Sequence, residues 1–369
     1  MDTEIVTKTS ELTPTETINN LEVDSSNLIV NINGLKKYYG DIKAVDGIEL
    51  QIKRGSIFGF LGPNGAGKTT TINSLITLIK PTEGEGTIAG YDLYDVAHIR
   101  TKVAAVFQEQ TLDETLTGLQ NLRLHAELYQ LPKKIREQRI NELVEMVGLT
   151  DRLNEAVLKY SGGMRRRLEI ARGLLTRPTI LFLDEPTTGL DPQSRQNIWE
   201  KIRELRERDN ITIFITTHYM EEAEALCDQI AIIDLGKIIA KGTSDELKNS
   251  LGQDFIIVEL KDNSLLEQAS ARVSSLPYVE STKIDSEKIY ISIKNASKFL
   301  APIVQAISGN NSEYIEIKTI ESKKPTLNDV FLYYTGKHLR DEEADLADRL
   351  KMAGRKGGMG RGGPMGRRH

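Results

Sequence analysis

Short apolar runs separated by turn residues begin at Leu28 and indicate a β-sheet. The runs LIVNI at 28–32 and IELQI at 48–52 are separated by the turn-forming KYYGD, and the fully apolar Ile57–Leu61 leads into a glycine-rich loop. Apolar, β-branched runs bounded by such turn residues are typical of strands. Because Thr69–Ile79 then favours a helix, this part of the chain predicts a strand–loop–helix unit.

Residues 117–175 have a different spacing of apolar positions, which predicts helices that interrupt the sheet. The apolar positions that recur at helical spacing are Leu119, Leu122, Leu124 and Leu128, and then Ile140, Leu143, Val144 and Val147. Apolar strands return at Ile180–Leu183, Ile211–Ile215 and Ile230–Ile233, and an amphipathic helix, Gln193–Glu207, lies between the first two. This alternation predicts an α/β fold with a largely parallel sheet and helices on both sides.

A second, smaller module follows a linker near Ser250. Its elements are predicted in the order β-α-β-β-α-β, which is that of a ferredoxin-like split unit. They are strand Phe255–Leu260, helix Ser264–Ser275, strands Val279–Ile284 and Ile289–Ile293, helix Ser297–Ile307 and strand Tyr314–Ile317. Residues 325–352 are predicted to be helical.

Composition separates two tails from these modules. Residues 1–26 hold six acidic residues and one lysine among Ser, Thr and Asn, a composition too polar to build a core, so disorder is predicted. Residues 337–369 are predicted to form a charged helix and a Gly/Arg-rich tail. The α/β domain is predicted at 27–248, with its helical subdomain at about 110–175, and a small α+β accessory domain at 252–336.

Charge and hydropathy narrow the expected location and partners. The 369-residue chain has a net charge of -5, so a general attraction to nucleic acid or acidic lipid is not expected. Its apolar runs are far shorter than the roughly 18–20 residues that cross a bilayer. No signal peptide is recognised, so the cytosol is expected. The single cysteine, Cys227, excludes an intrachain disulfide and a Cys-x-x-Cys motif.

The sequence GPNGAGKT at 62–69 matches the phosphate-binding loop Gly-x-x-x-x-Gly-Lys-[Ser/Thr], placed between a strand and a helix as that motif requires. Its glycines let backbone N–H groups and a helix N-terminus face an anion. Lys68 is predicted to reach the β- and γ-phosphates and Thr69 to hold Mg²⁺. The residues predicted here to bind nucleotide are Gly62, Pro63, Asn64, Gly65, Ala66, Gly67, Lys68, Thr69 and Thr70.

Strand Ile180–Leu183 runs directly into two carboxylates, Asp184 and Glu185. Such a pair is costly at the end of an apolar strand unless a cation or a polar site receives it. Asp184 is predicted to bind Mg²⁺, directly or through water, and Glu185 to orient and deprotonate the attacking water. Beside Lys68, these residues predict transfer of a phosphoryl group to water.

The pentapeptide YSGGM at 160–164 precedes the carboxylate strand, where the ABC ATPase family has its signature sequence. The chain resembles this family over about residues 28–245. Tyr160 replaces the usual Leu and Met164 the usual Gln. The signature residues for which the resemblance implies contact with the γ-phosphate are all present: Ser161, Gly162 and Gly163.

Further residues match the family in the same order along the chain. Tyr39 resembles the aromatic residue that stacks on adenine, and Gln108 the glutamine that contacts magnesium and couples the site to its partner. Asp191 belongs to the segment Gly189–Asp191, which resembles the loop that communicates across the dimer. His218 resembles the histidine that senses the γ-phosphate. The resemblance therefore implies catalytic roles for Glu185, His218 and Gln108.

The resemblance also implies an assembly. Ser161 and Gly163 of one subunit would complete the ATP site that Lys68, Asp184 and Glu185 build in the other. Hydrolysis would open this dimer, and the movement would pass to a membrane partner near Gln108 and the helical subdomain. The expected partners are a second ATPase subunit, identical or paralogous, and a separate multi-spanning permease, at the cytoplasmic face of the cell membrane.

Beyond the cassette, the chain resembles the drug-resistance exporter branch, whose ATPases carry a C-terminal module with a segment like Pro325–Phe331. That module has two open interpretations, stabilisation of the dimer and regulation or partner docking. The leading hypothesis is export of an unidentified, drug-like substrate. An importer ATPase remains an alternative, as does an ATPase acting on ribosomes or nucleic acid, which the Arg/Gly tail suggests but the single phosphate loop disfavours. Glu185 disfavours a nucleotide switch with little hydrolysis.

Overall fold

Most of the chain is described by a computed structural model. The described residues are 27–250, 254–285, 287–294, 296–309 and 314–335. The tails predicted at 1–26 and 337–369 lie outside these ranges. None of the helices within them combines the length and the apolar character that crossing a bilayer requires.

The described residues form three sheets and the helices that cover them. In chain order the strands are β1 Leu28–Tyr39, β2 Ile42–Lys53, β3 Ile57–Leu61, β4 Glu83–Ile88, β5 Tyr91–Asp92, β6 Val103–Val106, β7 Ile180–Asp184, β8 Thr212–Thr217, β9 Gln229–Asp234, β10 Lys237–Gly242, β11 Asp254–Leu260, β12 Val279–Asp285, β13 Lys288–Ile293 and β14 Ile317–Lys323. The α-helices are α1 Lys68–Leu75, α2 Val96–Lys102, α3 Gly118–Leu128, α4 Lys133–Met146, α5 Gly162–Leu174, α6 Pro192–Asp209, α7 Met220–Leu226, α8 Ser244–Ser250, α9 Leu266–Ser274, α10 Ala296–Ser308 and α11 Leu327–Thr335.

A six-stranded sheet in the order β10-β9-β3-β8-β7-β6 forms the centre of the first domain. Its neighbouring strands are parallel except β10 and β9. Every residue of β3, β7 and β8 is buried, as expected for parallel strands with helices on both faces. The predicted largely parallel sheet is confirmed. Because parallel strands end at one edge, Lys68, Glu185 and His218 follow strands that finish on the same side.

An antiparallel sheet, β2-β1-β4-β5, packs beside this centre. The sequence predicted β1 and β2 but neither β4 nor β5. Strand β4 reads EGEGTI, in which glycines and acids conceal the apolar alternation. Gly86 has a φ of 136°, and a Cβ there would collide with the carbonyl oxygen of Asn31 on β1. Close approach of two backbones, rather than side-chain pattern, fixes this strand.

Helices α3, α4 and α5 form the predicted helical subdomain, inserted between β6 and β7. The unusual Tyr160 is buried, and its hydroxyl donates a hydrogen bond of 2.7 Å to the carbonyl oxygen of Arg152. A Cβ at Gly118 would lie 2.5 Å from that hydroxyl, so glycine leaves room for the ring. The tyrosine therefore anchors the turn before the signature to the start of α3.

The second module has the predicted β-α-β-β-α-β order, with an antiparallel sheet in the order β12-β13-β11-β14. The strand predicted at Tyr314–Ile317 was misplaced, because residues 314–316 are a loop and β14 runs from Ile317 to Lys323. The buried Ile315 made residues 314–317 resemble a strand in the sequence. The actual strand, β14, lies at the edge of the sheet and has mostly exposed side chains.

Helix α11 returns from the second module to the first domain. Its buried residues Leu327, Val330 and Phe331 pack in one cluster with apolar residues of β3, α7, β9 and α8. The cluster members from the first domain are Leu61, Ala223, Ile230, Ile232 and Leu247. The segment Pro325–Phe331 thus leads into a helix that completes the covering of the central sheet.

Truncating the α11 contact is expected to destabilise the first domain. Phe331 is 1% exposed, so Phe331→Ala should lower the free energy of unfolding by about 3–5 kcal/mol through the cavity it leaves. Tyr333 on the same helix is 72% exposed, and Tyr333→Ala should change it by less than about 0.5 kcal/mol. Urea unfolding followed by circular dichroism would measure both; equal effects would show that α11 is not part of the core.

Candidate active site

The phosphate-binding loop lies between β3 and α1, at the carboxyl edge of the central sheet. Gly67 caps α1 with a φ of 105°, and a Cβ there would collide with the carbonyl oxygen of Ala44. A Cβ at Gly62 would likewise collide with the carbonyl oxygen of Ile233. Surrounding backbone therefore dictates glycine at both ends of the loop.

Lys68 is folded back against its own loop. Its Nζ donates to the carbonyl oxygens of Gly62 at 2.8 Å and Pro63 at 3.0 Å, and lies 3.1 Å from Oε1 of Glu185. The side chains of Lys68 and Glu185 are 5% and 7% exposed. A buried ammonium without a counter-charge would be costly, so the carboxylate stabilises the charged lysine in this state.

Asp184 is held between two hydroxyl groups. Thr69 Oγ1 donates to Asp184 Oδ2 at 2.9 Å, and the hydroxyl of Thr216 donates to the other carboxylate oxygen. A carboxylate and a hydroxyl are hard oxygen ligands that suit Mg²⁺. The described residues contain no group of three or more His, Cys, Asp or Glu that could hold a metal. Thr69 and Asp184 thus fit an ion that takes few protein ligands and completes its shell with phosphate and water.

Glu185 follows β7 in a left-handed backbone conformation, with a φ of 46°. Its N–H donates to the carbonyl oxygen and to Oγ1 of Thr216, at 3.1 and 3.0 Å, and the hydroxyl of Thr188 donates to Oε2 at 3.1 Å. Burial alone would raise the pKa of Glu185, but His218 and Lys68 outweigh it and lower the pKa to about 2. The carboxylate is therefore charged and fixed in direction.

Asp191 and His218 both follow this carboxylate in the sequence. His218 Nδ1 is 3.2 Å from Oε2 of Glu185, near enough for an ion pair when protonated but outside hydrogen-bond geometry. Asp191 caps α6, and its Oδ1 accepts a hydrogen bond of 3.0 Å from the N–H of Ser194. The Arg195 guanidinium lies 4.0 Å from the ring centre of Tyr219, so α6 also contacts the residue after His218.

The signature residues meet the start of α6 rather than the phosphate loop. Ser161 caps α5, and its hydroxyl accepts a hydrogen bond of 3.3 Å from the N–H of Met164. A Cβ at Gly162 would lie 3.1 Å from the Leu190 side chain, and one at Gly163 would lie 2.9 Å from Ser194 Oγ. Across the described residues, no hydrogen bond joins the signature residues to Lys68. The signature residues thus contact a different part of the chain from the residues that pair with Lys68.

Tyr39 and Gln108 are both exposed. Tyr39 ends β1 with 49% of its surface exposed, and Lys37 Nζ lies 5.0 Å from its ring centre. Gln108 follows β6 by two residues, as Glu185 follows the paired position Leu183 on β7. Gln108 and Glu185 therefore leave the same edge of the sheet. No described contact joins Tyr39 or Gln108 to Lys68.

Three residues that support the site were not predicted. Thr216 lies one residue beyond the predicted strand end. Arg166 is 7% exposed and donates to the carbonyl oxygens of Phe107, Asp184 (2.8 Å) and Pro186 (3.0 Å), which flank Gln108 and Glu185. Three consecutive arginines at 165–167 marked this position, but sequence alone could not show which one is buried.

Glu222, a fully buried residue on α7, is the third supporting residue that was not predicted. Its Oε1 accepts hydrogen bonds from the Thr187 hydroxyl at 2.8 Å and the Trp199 indole at 3.0 Å, while Oε2 has no hydrogen-bond partner. Burial raises the pKa of Glu222 despite these donors. This side chain joins α7, the loop after Glu185 and helix α6.

Comparison with known proteins identifies both parts of the chain. Residues 45–188 match the ABC transporter family model, and residues 242–335 match the model of the ATP-binding protein DrrA1-3-like C-terminal domain. The chain is 41% identical to the daunorubicin resistance ATP-binding protein DrrA3 of Streptomyces coeruleorubidus, over 85% of this chain and 98% of that protein. It is 38% identical to the Nod factor export ATP-binding protein I of Cupriavidus pinatubonensis, over 87% and 95%.

Solved structures agree with this likeness. CbiO1 from Clostridium perfringens, part of the ABC transporter complex cbiONQ, is similar with a TM-score of 0.57 and 27% identity, covering 61% of this chain and 94% of that one. An ATP-binding cassette in a dimeric post-hydrolysis state, bound to ADP and phosphate, has a TM-score of 0.53 and 30% identity, covering 58% and 98%. The predicted fold class and family resemblance are confirmed.

The stability of the chain in acid is expected to depend on Glu185. Its pKa is lowered from 4.5 to about 2, so the folded chain keeps the carboxylate charged where the unfolded chain binds a proton. The stabilisation is complete above pH 4.5 and is lost as the pH falls toward 2. We expect the difference in urea midpoint between the unaltered chain and Glu185→Gln to shrink from pH 6 to pH 3. A constant or growing difference would contradict the ion-pair assignment, and Glu200→Gln, at an exposed position outside the described ion pairs, serves as control.

Proposed function

The chain belongs to the ABC transporter family of ATP-binding proteins and hydrolyses ATP in a reaction coupled to transport, and we propose that it powers export of a drug-like substrate through a separate membrane permease. The observation that carries the hydrolytic part is the group formed by the buried Lys68, Asp184 and Glu185 and the half-buried His218 at one edge of the parallel sheet. The export part rests on the relatives, which are named for drug resistance and Nod factor export.

ATP binding is proposed to rearrange the Lys68 contacts. Lys68 now uses the carbonyl oxygens of its loop and Glu185 as partners. The β- and γ-phosphates carry more charge than these carbonyl groups, so the ammonium would turn toward them. Thr69 and Asp184 would hold Mg²⁺, with Gln108 as a further contact. Mg²⁺ held by these residues would supply positive charge that neutralises the charge developing on the phosphates during transfer.

This rearrangement would prepare Glu185 to act as a base. With a pKa of about 2, Glu185 is a weak acceptor for a proton from water while Lys68 stays beside it. Once Lys68 turns to the phosphates, burial and the neighbouring negative charge both raise the pKa of the carboxylate. The left-handed backbone and the Thr188 hydrogen bond keep the carboxylate aimed during this change. His218, beside Glu185, would then contact the γ-phosphate.

The remaining predicted residues are proposed to act between two subunits. Ser161, Gly162 and Gly163 lie apart from Lys68 in one chain, so a second copy or a paralogue would bring its signature to this site. Asp191 lies at the same surface as the signature, because Gly163 packs against Ser194 of its helix. The half-exposed ring of Tyr39 would stack on adenine. The known dimeric cassette bound to ADP and phosphate supports this proposal by likeness.

The permease is proposed to contact the helical subdomain. Apolar side chains on α3 and α4 and in the turn between them stay exposed, although such groups favour burial. These are Leu124 (49%), Leu128 (71%), Tyr129 (54%) and Ile135 (51%). An intracellular segment of a membrane protein at the cytoplasmic face would cover them. The relatives do not favour the alternative of an ATPase on ribosomes or nucleic acid.

Two substitutions should separate nucleotide binding from hydrolysis. Lys68→Ala removes the phosphate-facing cation and is expected to abolish ATP binding or turnover. Glu185→Gln keeps the volume but removes the base, and is expected to lower kcat by about 10²–10⁴-fold while retaining binding. Phosphate release and gel filtration with Mg-ATP would measure both, with the exposed Lys134→Ala as control. A Glu185→Gln chain that stays monomeric with its permease present would refute the shared site.

A pull-down would test the transport partner. Tagged Glu185→Gln with Mg-ATP, isolated from native membranes in mild detergent, is expected to carry a stoichiometric multi-spanning protein. The same chain with Leu128→Glu and Ile135→Glu should lose that protein, because charge cannot be buried in an apolar contact. Ribosomal proteins or RNA in its place would favour the alternative function.

A further inference from the structure

We propose that a cavity at the amino edge of the central sheet binds a small phosphate-bearing anion. The cavity has a volume of about 690 Å³. Its charged lining residues are Arg54, Arg139, Glu142, Arg177, Arg208 and Asp209. Such a volume lies in the range of pockets that hold small metabolites.

The cavity is distinct from the ATP site. Its lining includes Thr179 and Ile211, which directly precede β7 and β8, and Arg54, which lies just before β3. Lys68 and Glu185 follow the opposite ends of these strands. Five residues of strand span about 17 Å, so a phosphate in the ATP site cannot reach this cavity.

Positive charge exceeds negative charge in the lining, which holds four arginines and two carboxylates. Arg208 pairs with Asp209 at 2.8 Å, and Arg139 lies 3.2 Å from Glu142 and 3.7 Å from Asp209. The two carboxylates therefore serve two of the arginines. The charge left over favours an anion.

Arg139 supplies an independent indication of a ligand. Its side chain is only 9% exposed, and its Nε is buried without a hydrogen-bond partner. An unsatisfied buried donor costs about 1–3 kcal/mol, and more when it is charged. A rotation of this side chain that turns Nε toward the cavity would let an oxygen atom of a bound anion satisfy the donor.

Arg54 and Arg177 are the remaining cations. In the described part of the chain, neither side chain has a hydrogen bond, nor an ion pair within 4 Å. A guanidinium offers paired donors that match phosphate oxygens. Several arginines around one space suit a multivalent phosphate better than a single carboxylate, which one arginine would already satisfy.

A bound anion would connect two parts of the first domain. Arg139 and Glu142 belong to α4 in the helical subdomain and Arg177 lies three residues after α5, whereas Arg54 and Asp209 belong to the core. Phosphate oxygens shared between these groups would hold the helical subdomain against the core. The site would therefore regulate rather than catalyse.

Calorimetric titration of the full chain with pyrophosphate, without Mg²⁺, would test the site. Two binding events are expected, one at the phosphate loop and one in the cavity. The double variant Arg54→Gln and Arg177→Gln, at exposed positions, should weaken the cavity event at least tenfold and leave the other. The control Lys133→Gln and Lys134→Gln removes the same charge from exposed lysines and should keep both. Lys68→Ala should keep the cavity event.

Vesicles would distinguish a free anion from a lipid headgroup. If pyrophosphate fails to occupy the cavity but vesicles with phosphatidic acid bind the chain, and the Arg54/Arg177 variant loses this binding while the lysine control keeps it, the anion is a headgroup in the proposed site. If neither probe distinguishes the arginine variant from the lysine control, the proposal is wrong. ATP hydrolysis plays no part in either readout, so the outcome is independent of the proposed function.

Discussion

The buried ion pair between Lys68 and Glu185 is the interaction on which the site depends. Both groups are almost fully buried, and each would be unstable there alone. Removing one partner from such a pair typically costs about 3–5 kcal/mol, because the other is left as an uncompensated charge. The pair therefore keeps both groups charged and in place, and it ties the two strand ends from which they come. Lys68 can bind a phosphate only if its ion pair with Glu185 breaks. Nucleotide binding is therefore linked to the state of the base.

Arg166 extends that constraint to the rest of the domain. One guanidinium holds the carbonyl oxygens of Phe107, Asp184 and Pro186, and it lies on α5, the helix that Ser161 caps. These carbonyl groups lie on the segments that carry Gln108 and Glu185. A rotation of the signature helix would therefore move backbone on both sides of the base. Arg166 makes this connection directly, because its guanidinium is buried and already donates hydrogen bonds to these carbonyl oxygens.

Motif and spacing were enough to predict β3, β7, β8 and β9 of the central sheet, the helical insertion and the order of the second module, because buried strands and amphipathic helices place apolar residues at regular intervals. Strands β6 and β10 of the same sheet were not predicted. Strand β4 was not predicted, because its glycines allow close backbone contact and do not form an apolar alternation. Strand β14 was misplaced because the buried Ile315 lies in a loop. At the site, Lys68 and Glu185 were expected to act together, but the direct pair was not predicted. Arg166 and Glu222 were missed because burial of a charged residue depends on tertiary contacts.

Helix α5 connects the two ends of the sheet. Its cap, Ser161, belongs to the signature, its middle carries Arg166, and its last residue, Leu174, lines the arginine-rich cavity. Thirteen residues of helix extend about 20 Å, comparable with the central strands beside it. The strands are buried and packed on both sides, so they cannot shift independently. A ligand in the cavity would therefore affect the hydrolytic site by moving or holding α5. This places any regulation at the helical subdomain rather than in the sheet.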